Sequence, residues 1–96
     1  MPVGILQLNL YLPMAHSLKD KRHYLRPILH DLRSKFSVSV AETGKNDVWQ
    51  SSEILIAIAS NSSVEIEKVT DRILKFIENH WVEVYLSSSE LEIIIE

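Results

Sequence analysis

Six of the ten Lys and Arg residues in this 96-residue chain fall between positions 17 and 36: Lys19, Lys21, Arg22, Arg26, Arg33 and Lys35. Only Asp20 and Asp31 oppose them there, a local balance of +4. Residues 37–96 carry four bases against eleven acids, a balance of -7. Clustered Arg and Lys neutralise phosphate, so this run is the segment best suited to contact a nucleic-acid backbone. On a helix, Arg22, Arg33, Arg26, Lys19, His30 and His23 fall within an arc of roughly 100° along one flank. Lys21 belongs to the same run but lies near the apolar arc, where its stem can snorkel. Candidate phosphate contacts are therefore Lys19, Lys21, Arg22, Arg26 and Arg33. The competing reading is a solvated helix face balanced by intrachain acids.

Other chemistries find less support. The chain has no Cys, so it has no thiol nucleophile, thiolate metal site or disulfide. His16, His23 and His30 are seven residues apart, two helical turns or about 10 Å, too far to share one metal ion. Gly4 and Gly44 are the only glycines, which rules out a phosphate loop or dinucleotide fingerprint. No serine sits in a Gly-x-Ser-x-Gly elbow. The residues call for no cofactor and predict a protein that is not an enzyme.

The elements that must hold this basic run follow from periodicity. Val3–Leu12 alternates, with Leu6, Leu8, Leu10 and Leu12 on one face, which predicts a strand ended by Pro13. Ser17–Phe36 has helical period, with Leu18, Leu25, Ile28, Leu29, Leu32 and Phe36 on one stripe and Ser17 as N-cap. Pro27 lies inside this helix, away from the stripe, and predicts a kink. Ser37–Glu42 alternates again, and residues 43–48 form a turn-rich connection. Ile54–Ala59 is a strand apolar on both faces. Ser62 and Glu65 make a capping box for a helix that runs to about His80. Val82–Leu86 alternates as a strand, Ser87–Ser89 interrupts it, and Leu91–Ile95 offers an extra C-terminal edge strand.

The order is β-α-β-β-α-β, an α+β, ferredoxin-like sandwich with both helices on one face of a four-stranded antiparallel sheet. The length and a stock of 12 Leu, 11 Ile and 8 Val suit a single domain, 1–96. No apolar run approaches a membrane span, and the missing Cys and missing signal pattern predict a cytoplasmic protein with no membrane partner. The third strand is aliphatic rather than aromatic and basic, so RNA recognition by the sheet is not expected. Ile5, Tyr11 and Tyr85 share the uncovered face, which predicts a homodimer through that face or through the C-terminal strand. The alternative function is a dimeric protein-interaction or small-ligand regulatory module that uses this face, in which changes at Tyr11 or Ile56 are expected to alter assembly.

The blocks His16-Ser17-Leu18-Lys19-Asp20-Lys21-Arg22, Phe36-Ser37-Val38-Ser39-Val40-Ala41-Glu42, Asp47-Val48-Trp49-Gln50 and Ser60-Asn61 resemble the YlxP-like family, the bacterial domain of unknown function 503. The likeness spans essentially the whole chain and implies a ferredoxin-like fold without a settled biochemical role. Genes of that family often neighbour those for transcription termination, translation initiation and ribosome maturation, which implies RNA or a ribosome as partner. The family motif falls on His16, Ser17, Lys19, Lys21, Arg22, Asp47, Trp49 and Gln50. Pro27 departs from the family's first helix. Ser17 serves either as a cap or in the site; Trp49 either anchors the connection to the core or, with Gln50, offers a stacking and hydrogen-bonding surface.

Overall fold

The alternating leucines of the N-terminal segment form β1, Pro2–Tyr11, in a computed structural model that describes residues 1–81 and 83–95. Leu6, Leu8 and Leu10 are buried on one face, and Leu12, just past the strand, is buried too. A loop leads to α1, Leu18–Phe36. Two further strands follow, β2 (Ser39–Gly44) and β3 (Ser51–Ala59), then α2 (Ser63–His80) and β4 (Tyr85–Ile95).

The strands lie in the order β2-β3-β1-β4 and every neighbouring pair is antiparallel. Each βαβ half thus brackets a strand of the other half. Register brings Val40, Ile56 and Leu6 into one row and Ile54 against Leu8. These side chains share a core with Leu25, Ile28 and Leu32 of α1 and Ile66, Ile73 and Ile77 of α2. The α+β, ferredoxin-like architecture expected from the element order is the one observed.

Three local outcomes refine the expectations. α1 continues through Pro27, whose exposed ring faces away from the core. The helix stops at Ser37, which adopts a left-handed conformation (φ 53°) and donates its N–H to Arg33 O at 3.1 Å. The C-terminal segment is one strand, not two. Asn9 pairs with Ser88 and Leu10 with Leu86, so Ser87 is a bulge inside β4 rather than a break. The separate fifth strand is therefore corrected. Val82, where the last segment is expected to begin, lies outside the described residues. Gly4 is required by close approach: a Cβ there would stand 2.5 Å from Ile66 Cγ2.

The uncovered sheet face carries Val3, Ile5, Gln7, Asn9 and Tyr11 of β1, Leu55 and Ala57 of β3, and Tyr85 and Ile94 of β4. The Tyr11 and Tyr85 rings are 6.2 Å apart. Ile56 does not belong to this face. It is fully buried beneath the helices, and Leu55 takes the outward position, because successive strand residues alternate faces.

Candidate nucleic-acid interface

The basic helix is set in place by its first turn. Ser17 Oγ accepts from the Asp20 N–H at 3.0 Å, and Asp20 Oδ2 accepts from the His16 N–H at 3.0 Å. This is a capping box reaching one residue further back than usual. Ser17 and Asp20 thereby satisfy donors at the helix start, and the His16 residue is exposed to solvent.

Lys21, one turn further, is withdrawn from the surface. Its side chain is 2% exposed, with Nζ 2.7 Å from Glu42 Oε2 and donating to Lys45 O at 2.6 Å. Ser52 donates to the same carboxylate at 2.6 Å. A buried ammonium needs a counter-charge and hydrogen-bond acceptors, and the β2–β3 hairpin supplies both in Glu42 and Lys45 O. Lys21 is therefore corrected from a phosphate contact to a pin between α1 and that hairpin. The sequence does hold a signal for its partner: Glu42 follows Val38 and Val40 at period two, which places a carboxylate on the core face of a strand.

Gln50 has a comparable role. Its Nε2 donates to Pro13 O at 3.0 Å, and its backbone carbonyl accepts from the Leu12 N–H at 2.9 Å, strapping the hairpin to the β1–α1 loop. Arg33 remains exposed, but its Nη2 donates to Val40 O at 2.7 Å and so ties α1 to β2.

Lys19, Arg22, His23 and Arg26 are left exposed around one shallow depression. Arg22 also borders the next depression, shared with Leu18, Lys21, Leu25, Glu42, Asn46 and Asp47. Asp47 in turn borders a third with Val48, Trp49 and Gln50. Of the motif residues, Lys19, Arg22, Asp47, Trp49 and Gln50 thus line adjoining depressions linked through Arg22 and Asp47, whereas His16 and Ser17 line none of them and Lys21 is buried. Trp49 is 51% exposed and Val48 46%, so the tryptophan is no core anchor. Among the described residues, Lys19, Arg22 and Arg26 form no ion pair. Nor do any three His, Asp or Glu side chains among those residues stand close enough to hold a metal ion. The surface offers cations without carboxylate partners among the described residues and an exposed indole, groups that suit phosphate contact and base stacking, with the Asp47 carboxylate between them.

No helix among the described residues is long and apolar enough to cross a membrane. The fold is shared with a de novo designed protein, Foldit4, at TM-score 0.57 and 16% identity, covering 100% of this chain and 99% of that one. A Dabb family protein with a ferredoxin-like fold from Mesorhizobium loti aligns at TM-score 0.43 and 13% identity over 97% of each chain. By sequence, the chain is 39% identical over 77 residues to the uncharacterized protein YlxP of Bacillus subtilis (strain 168), covering 80% of this chain and 84% of that protein. The sequence model of the protein family of unknown function DUF503 matches residues 3–91, and the chain belongs to that family.

Proposed function

We propose that the protein is a non-enzymatic accessory factor that contacts structured RNA or a ribosomal particle through the first half of α1 and the β2–β3 turn. The observation that carries this reading is that Lys19, Arg22 and Arg26, without ion pairs among the described residues, line depressions that adjoin that of the exposed Trp49 through Asp47. Cations without carboxylate partners keep their attraction for phosphate, and an exposed indole gives a base a ring to stack on. Replacing both Arg22 and Arg26 by Ala is expected to lower the slope of log K against log salt for ribosomal RNA by about 1.5 to 2, close to one per lost phosphate contact. Trp49→Ala is expected to weaken binding by about 1–3 kcal/mol while leaving that slope unchanged. Purified protein that shows no salt-sensitive binding to ribosomal RNA or subunits refutes this reading.

A second reading, self-association through the open sheet face, is favoured by the apolar side chains that face leaves uncovered: the exposed Tyr11 and Tyr85 pair at one end, Val3 and Ile94 at the other, and Leu55 between them. It predicts a dimer by light scattering that Tyr11→Ser and Leu55→Ser dissociate. A monomeric mass at micromolar concentration counts against it.

A further inference from the structure

A second group of cations lies on the other flank of α1, where its last turn meets the last turns of α2. Phe36 and Phe76 stand edge to face with centroids 5.5 Å apart, and His80 stacks on Phe76 at 4.8 Å with 23° between planes. These rings floor an open groove of about 350 Å³ rimmed by Lys35, Arg72, Lys75 and Asn79. Lys35 Nζ stands 5.2 Å from the Phe76 ring centre. Among the described residues, Lys35 and Lys75 pair with no carboxylate, and Arg72 reaches only Glu65, at 4.0 Å in an exposed contact. Compensation of the helix ends accounts for Lys35 and His80, which occupy last turns, but not for Arg72 and Lys75.

We propose that this groove binds a planar aromatic group bearing phosphate, that is, a nucleotide base with its phosphate. His80 is exposed and presents ring surface for stacking, while Phe76, packed by His80, Phe36, Trp81 and Lys35, supports it from below. Lys35 approaches from α1 and Arg72 and Lys75 from α2, so an anion held among them is shared by both helices. Asn79 supplies a donor and an acceptor for a base edge. The volume lies at the small end of ligand sites, about 300–1,000 Å³, which suits one nucleotide rather than a helical peptide. No rim residue belongs to the Lys19, Arg22 and Arg26 surface, so the groove stands or falls independently of the proposed RNA contact. The base-and-phosphate unit comes from a free nucleotide or from an unpaired position in an RNA strand.

The test is an NMR titration of ¹⁵N-labelled full-length protein with AMP, adenosine, inorganic phosphate and single-stranded hexa-adenylate. AMP is expected to shift resonances of residues 76–81, with adenosine and phosphate each at least tenfold weaker. Lys35→Gln with Lys75→Gln, both on the groove rim, is expected to weaken AMP at least tenfold. His80→Ala, at an exposed position, tests the stacking ring without opening the core. Arg22→Ala with Arg26→Ala, outside the groove, is expected to leave the AMP-induced shifts of residues 76–81 unchanged. Binding of hexa-adenylate without AMP assigns the source to RNA, and the reverse assigns it to free nucleotide. The proposal is overturned if phosphate alone matches AMP, if an acidic tyrosine-containing peptide shifts these resonances and neither nucleotide probe does, or if none of the probes moves them.

Discussion

Burying the Lys21 ammonium costs several kcal/mol of hydration, and Glu42 and Lys45 O together offset that cost. Because the compensation depends on both partners, removing one is worse than removing both. Glu42→Gln is expected to destabilise the protein by about 3 kcal/mol, read as a lower urea midpoint with unchanged slope. Lys21→Met combined with Glu42→Leu is expected to recover most of that loss. Arg22→Ala alters the very next residue, but one that is exposed and outside this network, and is expected to stay within about 0.5 kcal/mol of the parent. A Lys21→Ala variant as stable as the parent would show that the pin contributes nothing.

At the scale of elements, α1 is the least conventional piece. It carries a proline in its interior, lacks the hydrogen bond that residue 27 would otherwise donate, and ends on a non-glycine residue with positive φ. Its apolar stripe, with Leu25, Ile28 and Leu32 buried, holds it on the sheet despite those costs. Pro27→Ala is expected to raise stability by about 1–3 kcal/mol, because an exposed site regains a backbone donor while the core packing is untouched. A fall in thermal midpoint would show instead that the proline ring helps to hold the native state. β4 shows the opposite case, in which three consecutive serines stay in a strand because β1 supplies the register and a bulge absorbs the extra residue.

The molecule as a whole separates its charges by face. The outer flank of α1 is basic, whereas the uncovered sheet face carries Glu53, Glu90 and Glu92 and no Lys or Arg in its strand positions. Salt therefore acts in opposite directions on the two proposed contacts. Raising it screens the cation–phosphate attraction, and RNA affinity is expected to fall steeply, whereas it relieves carboxylate repulsion and strengthens any pairing of two open faces. Sedimentation at 50 mM and 500 mM salt reads both trends. RNA binding that is indifferent to salt, or self-association that weakens with it, contradicts the assignment of these contacts to these faces.

Local patterning in the chain was sufficient for the element order, the two caps at Ser17 and Ser62, and the inward leucines of β1, since period and capping chemistry act between residues a few positions apart. The same patterning placed Lys19, Arg22 and Arg26 together on one flank. It could not say that Lys21 is buried, that Trp49 is exposed, or that Ile56 turns inward while Leu55 turns out, because each depends on a neighbour distant in sequence. Glu42 reaches Lys21 only when β2 docks beside α1, and Phe36 meets Phe76 only when the two helices share one face of the sheet. Which cations of α1 stay free to act was decided there, by which of them the fold supplied with a carboxylate, as for Lys21, or a backbone carbonyl, as for Arg33.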